Sequence, residues 1–269
     1  PILEESLIVL QELGVTILPP RDAYGKHNLP ELEEIVFRTA RALSQSPLRG
    51  LPVLVTGGPT PVALDAIRRL SNRFTGALGL ELAKALFVAG AEVHWVHGIS
   101  PLQRPAWLPC KQIESFEEYL QTVLYLLEEH ACVAGIFSAA VADYAPEKVF
   151  EGKLASGAEQ LRLELAPLPK VIDLVRRQFP DLALVSFKFE AGVSHQQLMD
   201  IAHRRLELGH QAVVANRDEE QQASGQIAWL VSREGEMRLE GKQAIAGAVL
   251  KHLEGSIAAQ GLDQSLEIG

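Results

Sequence analysis

Short apolar runs alternate with amphipathic stretches along most of this chain. Val53–Thr56, Glu92–His97, Val133–Ser138, Leu182–Phe189 and Ala212–Ala215 are compact runs rich in β-branched and aromatic residues, and they predict strands. Between them, 79–89, 116–130, 169–178 and 195–208 carry helical spacing. In the second of these, Phe116, Leu120, Val123, Leu124 and Leu127 fall on one face. Leu161–Leu165 alternates and predicts a further strand. Ile227–Val231 and Glu236–Leu239 predict a hairpin around Glu234-Gly235, and 242–252 a closing helix. Strands spaced by helices of this length imply parallel βαβ units. The expected fold class is therefore α/β, a doubly wound, mostly parallel, Rossmann-like three-layer sheet with a C-terminal β-hairpin.

The N-terminal pattern differs. ILEESLIVLQELG has helical spacing, VTILPP reads as a short strand, and LPELEEIVFRTARALSQ as an amphipathic helix whose first turn carries Glu31, Glu33 and Glu34. Residues 1–48 thus predict a small helix–strand–helix segment, and SQSPLRGLP (44–52) a linker. The body runs over 49–254, and 255–269 reads as a loose tail. No internal repeat is evident.

Composition narrows the function. The chain has 269 residues, 47% hydrophobic and 22% charged, as expected of a globular protein able to bury a full core. A formal net charge of -9 argues against broad binding to nucleic acid or to anionic membranes, both of which need a positive field. Two cysteines, Cys110 and Cys132, without a C-x-x-C imply neither a disulfide framework nor a zinc site. His94 and His97, flanking Trp95 on a strand, read as packing or surface residues. No signal peptide is apparent, and no apolar run reaches the ~18 residues needed to span a membrane. The expected compartment is the cytoplasm.

The densest chemistry lies in 53–98, a strand, a long glycine-rich loop, a helix and a second strand. Glycine backbone entering a helix N-terminus forms an anion site. Gly57, Gly58, Gly76 and Gly79 supply that backbone, and Ser71-Asn72-Arg73-Phe74-Thr75 places an amide and two hydroxyls beside it. Turn and helix-packing roles would also account for the glycines. Neither common fingerprint fits: G-x-x-x-x-G-K-[ST] is absent, and G-x-G-x-x-G is incomplete.

Other candidates follow strand ends, where such sheets bind ligands. Lys153, in EGKLASG, reads either as a solvated loop lysine or as one on a mobile loop closing over a triphosphate, and Lys148 competes for the second role. Asp143 suits Mg²⁺, a ribose hydroxyl or a plain turn. Phe187 borders a base pocket or packs in the core. Strand alternation puts Lys188 on the opposite face from it. Asn216 bonds a ligand or caps a turn.

These loops, in this order, resemble phosphopantothenate–cysteine ligase, often the C-terminal half of a bifunctional coenzyme A flavoprotein. The resemblance covers about Leu51 to Glu254. VTGGPTPVALDAIRRLSNRFTG is similar to V-T-x-G-G-T…D-x-V-R-x-x-S-N-x-S-S-G, including Asp65, Arg68, Ser71, Asn72 and Gly76. FSAAVADYAPEK resembles A-A-V-[AS]-D-[YF], and GKLASG the lysine loop. VSFKFEA is closer to S-F-K-x-E-T than to G-F-A-A-E-T, and QAVVANRDE resembles the V-x-A-N segment. Pro59, Phe74-Thr75 and Ala155-Ser156 depart from the family pattern. Residues 1–48 resemble the end of a flavin-dependent decarboxylase half without its flavin-binding body, so no FMN and no decarboxylation are expected of this chain.

The resemblance implies a two-step ligation. The carboxylate of 4'-phosphopantothenate attacks the α-phosphate of CTP or ATP with Mg²⁺, releasing pyrophosphate. The amine of cysteine then attacks the acyl-nucleotide. Asn72 and Lys153 become the catalytic candidates: Asn72 for the carbonyl of the mixed anhydride, Lys153 for the triphosphate. Nucleotide and substrate contacts are implied for Gly57, Gly58, Thr60, Ser71, Arg73, Thr75 and Gly76 on the first loop and for Ala139, Ala140 and Asp143 on the second. Phe187, Lys188, Glu190 and Asn216 complete them from the later strands. Asp143 is the residue nearest to a metal role, through the nucleotide's Mg²⁺. Implied partners are a second copy of the chain, with the 227–239 hairpin as one route to a homodimer, and a separate flavoprotein decarboxylase. A nucleotide-binding relative without ligase activity and an NAD(P)-dependent oxidoreductase are the alternatives. The incomplete glycine fingerprint and His97-Gly98, where a ribose-binding acid would stand, count against the second.

Overall fold

The computed structural model describes residues 2–23, 25–157, 160–222 and 225–267. The chain begins with α1 (Ile2–Glu12), the hairpin β1 (Arg21–Ala23) and β2 (Lys26–Asn28), and α2 (Leu32–Leu43). The body opens with β3 (Pro52–Gly57), the small hairpin β4 (Val62–Ala63) and β5 (Arg69–Leu70), and α3 (Ala77–Val88). It continues through β6 (Glu92–Gly98), β7 (Lys111–Ile113), α4 (Phe116–Glu129), β8 (Ala134–Phe137) and β9 (Tyr144–Pro146). Then come β10 (Leu165–Pro167), α5 (Val171–Gln178), β11 (Ala183–Glu190), α6 (His195–Glu207) and β12 (Ala212–Arg217). A 3₁₀ turn, Asp218–Glu220, leads to β13 (Gln221–Gln222), β14 (Gly225–Ser232), β15 (Gly235–Glu240) and α7 (Lys242–Glu267).

One sheet organises the body. Its parallel strands run in the order β7-β6-β3-β8-β11-β12. The antiparallel strands β14 and β15 extend it beyond β12. The chain winds outward from β3 through β6 to β7, then returns and winds the other way from β8 through β11 to β12. The reversal between β3 and β8 leaves a crevice at their carboxyl ends, where ligands of such sheets sit.

Both faces of the parallel strands are covered, which is why they read as nearly continuous apolar runs. Val53, Val55, Trp95, Ile136, Val185 and Val214 pack on one side with Leu82, Leu86, Ile245 and Val249 of α3 and α7. Leu54, Val96, Phe137 and Leu184 pack on the other with Phe116, Tyr119 and Val123 of α4 and Val175 of α5. Val213 and Val231 meet Leu198, Met199, Ala202 and Leu206 of α6. Leu54, Ile136 and Leu184 are fully buried, and each such side chain contributes about 1.5–3 kcal/mol of burial. Caps fix the helix starts: Ser115 accepts from the N–H of Glu118 at 3.1 Å, and Ser194 and Gln197 form a reciprocal capping box before α6.

Helix α2 docks on α3. Arg41 donates to the carbonyls of Phe87 (2.9 Å) and Ala91 (2.7 Å), and the Phe37 ring lies 5.1 Å from that of Trp107. Three expectations need correction. Residues 15–20 form no strand, since Pro19 and Pro20 offer no backbone donors, and pairing starts at Arg21. The strand expected over 161–165 appears instead as β10, paired with β9 through Leu165 and Pro146. The closing helix does not end at His252. It continues to Glu267 through a stretch that carries Gly255 and Gly261 but no proline to break it, where a loose tail was expected. Among the described residues no helix is long and apolar enough to cross a membrane.

Candidate active site

At the end of β3 the loop 58–60 is fastened to the loop that follows β8. The Ala140 N–H donates to the Gly58 carbonyl at 2.9 Å, the Thr60 N–H to the Ala140 carbonyl at 3.2 Å, and the Ala142 N–H to Thr60 Oγ1 at 2.8 Å. Asn72 Nδ2 donates to the same Ala140 carbonyl at 3.0 Å. The loop after β8 therefore holds both the 58–60 loop and the Asn72 amide through one carbonyl, that of Ala140.

Between these loops and the ends of β11 and β12 lies a cavity of about 800 Å³. Asn72 to Leu78 form one wall, with Ser138 to Asp143 beside it. Pro169 to Ile172 stand opposite, and Phe187 to Phe189, Arg205, Asn216 and Lys242 close it. Arg73, Lys170, Lys188, Arg205 and Lys242 are its basic lining residues, and among the described lining residues Asp143 is the only carboxylate. An acidic chain thus carries a basic pocket, suited to a polyanion. Phe74 meets Phe189 edge-on, with ring centroids 5.4 Å apart, and so joins the glycine loop to β11.

The charges are arranged unevenly. Asp143 is ion-paired with Lys170 at the cavity wall. Lys188 is paired with Glu190 at 2.7 Å. Arg205 reaches in from α6, where Nη1 donates to the Phe187 carbonyl at 3.0 Å and to Ser186 Oγ at 3.2 Å. Burial pushes its pKa below the ordinary guanidinium value, and the more distant charges of Asp173 and Glu190 oppose that shift. Behind it, Ser186 Oγ lies 2.7 Å from His210 Nδ1. Burial, and then the charges of Arg205 and Arg176, push His210 down to about 4, so this imidazole is neutral at physiological pH.

The lysine loop is tied to the glycine loop by Asp65, whose side chain is fully buried. Asp65 Oδ1 accepts from the N–H groups of Ile67 (2.9 Å) and Arg68 (2.7 Å). Oδ2 accepts from Arg68 Nη1 (2.8 Å) and the N–H of Leu154 (3.0 Å). Burial pushes this carboxyl up, but the N–H donors and the Arg68 charge outweigh it and leave the pKa below the usual value. The Ala66 N–H donates to the Gly152 carbonyl at 3.0 Å, and the Phe150 N–H to that of Leu64 at 3.1 Å, which completes the tether.

Of the residues expected from sequence, Gly58, Asn72, Arg73, Thr75, Gly76, Ala139, Ala140, Asp143, Phe187, Lys188 and Asn216 line the cavity. Gly57 ends β3 and is buried. Thr60 is buried and spends its hydroxyl on Ala142. Ser71 donates to the Asn72 carbonyl at 3.2 Å, Glu190 is engaged by Lys188, and Lys153 and Lys148 are exposed outside the cavity wall. Sequence reading missed Lys170, Arg205 and Lys242. Lys170 and Lys242 stand at the starts of helices that the pattern had placed, which was the available signal. Arg205 falls within the apolar stripe of Leu198, Ala202 and Leu206 on α6, and a cation in that stripe was its signal.

Residues 48–256 match the family model for the DNA/pantothenate metabolism flavoprotein C-terminal domain. The coenzyme A biosynthesis bifunctional protein CoaBC of Thermococcus kodakarensis is 35% identical over 218 residues, covering 80% of this chain and 53% of that protein. The chain spans about half the length of the curated relatives it matches. The crystal structure of the DNA/pantothenate metabolism flavoprotein from Streptococcus pneumoniae aligns with a TM-score of 0.67 at 26% identity, over 77% of this chain and 100% of that one. The C-terminal domain of a coenzyme A biosynthesis bifunctional protein CoaBC aligns with a TM-score of 0.65 at 25% identity, over 80% and 100%.

Proposed function

We propose, from the premise that this chain belongs to the DNA/pantothenate metabolism flavoprotein C-terminal domain family, that it joins 4'-phosphopantothenate to L-cysteine through an acyl-nucleotide, with release of pyrophosphate. The observation that carries the proposal is Asn72, held by the Ala140 carbonyl on the wall of a basic cavity at the sheet's topological reversal. A polyanionic nucleotide suits the cluster of Arg73, Lys170, Lys188, Arg205 and Lys242. The first-turn N–H groups of α3 add the positive end of a helix.

In this reading the chain binds CTP or ATP with its phosphates toward the glycine loop and its base toward Phe187. The substrate carboxylate attacks the α-phosphorus and pyrophosphate departs, with Lys153 swinging in from its tethered loop to meet the developing charge. The second N–H of the Asn72 amide then donates to the acyl carbonyl as the cysteine amine adds, and the nucleoside monophosphate leaves. Mg²⁺ would arrive with the triphosphate: among the described residues no group of three His, Cys, Asp or Glu is placed to hold a metal. The single carboxylate of Asp143 suits an ion bound chiefly by phosphates, once Lys170 releases it.

The chemistry is assigned to residues 49–254, with 1–48 as an appended segment. Two copies would pair through the β14–β15 hairpin, whose outer strand β15 pairs, among the described residues, with β14 alone. The free thiols of Cys110 and Cys132 suit the reducing cytoplasm as the compartment. The test is a panel of nucleoside triphosphates with a pyrophosphate readout. Release that requires phosphopantothenate is expected. Reduction of NAD(P)⁺ or release independent of phosphopantothenate would overturn the reading.

A further inference from the structure

His97 sits at the end of β6, buried to 1% exposure, between the two turns that form the floor of the cavity. Gly58 turns with φ 72°, and a Cβ there would lie 2.7 Å from His97 Cε1 and 3.0 Å from Nδ1. Gly76, the N-cap of α3, turns with φ 79°, and a Cβ there would lie 2.2 Å from Nε2 and 2.4 Å from the Gly58 nitrogen. The imidazole therefore fills the space that side chains on either turn would need. It is itself held in place: Nδ1 lies 2.6 Å from the Gly98 carbonyl, and the Trp95 ring packs edge-on at 5.4 Å. Ser100, on the same loop, donates to the Thr75 carbonyl at 2.8 Å and pins the residue before Gly76.

We infer that His97 is a positioning residue, a wedge that sets the spacing of the Gly58 and Gly76 turns and so aims the first N–H groups of α3 at the anion in the cavity. Gly58, Gly76, Ala77 and Leu78 all line that cavity. A shift of one turn against the other moves the donors that a phosphate would meet, and geometry of this kind is felt in binding. Burial pushes the imidazole pKa down, and because a carbonyl oxygen only accepts, the hydrogen bond to Gly98 is an Nδ1–H donated to that carbonyl. An asparagine can reproduce that donor but leaves the outer half of the ring's space empty.

The test has two independent arms, and only the second rests on the ligase reading. In the first, amide hydrogen exchange is followed in the parent protein, His97→Ala and His97→Asn. Exchange at Gly58, Ala77 and Leu78 is expected to quicken about tenfold in His97→Ala and by less in His97→Asn. Unchanged exchange there in either folded variant overturns the wedge. In the second, ligation kinetics in His97→Ala should show a nucleotide KM raised about tenfold, with kcat and the KM for cysteine near the parent values, and His97→Asn should recover part of the loss. Equal changes in the nucleotide and cysteine KM values overturn it. Exchange that responds as expected in a parent protein that makes no product supports the wedge and counts against the ligase reading alone.

Discussion

The backbone N–H of Leu154 donates to Asp65 Oδ2 at 3.0 Å, across 89 residues of chain. The loop bearing Lys153 is therefore fastened to the hairpin that follows the glycine turn, and the two parts of the site that would meet a triphosphate move together. Truncating the clasp should displace Lys153 without touching it. Asp65→Ala is expected to slow pyrophosphate release by up to about 10²-fold. In a Lys153→Ala background the same change should add little. A double-mutant cycle measures this, and independent, multiplicative losses would separate the clasp from the lysine.

Asn72 is held by Ala140, so its amide is oriented before any substrate arrives. Asn72→Ala removes the donor without adding a charge to the basic cavity. Conversion to amide product should fall by about 10²–10³-fold while nucleotide binding stays near the parent value. Rapid-quench kinetics beside calorimetry distinguishes the two steps. A variant that loses nucleotide affinity and keeps its rate of amide formation would reverse the assignment.

Arg205 is a half-buried cation, and among the described residues no ion pair neutralises it. Arg205→Met should weaken nucleotide binding about 10- to 100-fold, the worth of one charge-assisted hydrogen bond. Calorimetric titration with CTP and with ATP provides the check. Unchanged affinity for both in a folded variant would place the phosphates elsewhere.

His210 gives stability a specific pH dependence. Its ordinary value is 6.5 and its native value about 4. Above pH 6.5 both folded and unfolded chains hold it neutral, and its contribution is complete. As pH falls toward 4 the unfolded chain takes up a proton that the native chain refuses, and stability drops. Below about pH 4 the loss is complete, at about 3 kcal/mol, of which about 2 kcal/mol is reached by pH 5. His210→Gln, which does not titrate, should lose correspondingly less between pH 7.5 and 5 in denaturant unfolding. Equal losses in the two proteins would contradict the buried, neutral imidazole.

The sheet was legible because its central strands are covered on both faces. Val53–Val55 and Leu184–Val185 send alternate side chains into opposite helix layers, so nothing polar interrupts the run. The helices between them, read with the right-handed rule for crossovers, leave few topologies to choose from. The glycine loop and the 138–143 loop were legible from their chemistry, and the structure zips them together at Ala140. What local pattern could not carry was the direction of individual side chains. Thr60 resembles a ligand contact in sequence but turns inward, because the Ala142 N–H needs an acceptor once the loops close. Lys153 stands outside the cavity, on a loop that Asp65 fastens to the hairpin after the glycine turn, and that long-range contact has no local signature. Arg205 enters the site because α6 lays Leu198, Ala202 and Leu206 against the sheet, and Arg205, on the same helix face as Leu198 and Ala202, is carried to the end of β11. His97 looked like an ordinary strand residue. Its role rests on two glycine turns that come together only in three dimensions.

The ligation reading turns on a covalent intermediate. The most direct test withholds cysteine. The protein is mixed with 4'-phosphopantothenate, Mg²⁺ and CTP or ATP, quenched, and examined by mass spectrometry. An acyl-nucleotide of phosphopantothenate is predicted with one of the two nucleotides, together with an equal amount of pyrophosphate, and added cysteine should convert it to the amide with release of the monophosphate. Folded protein that yields no such adduct with either nucleotide, or that forms the amide without consuming a nucleotide, would contradict the account.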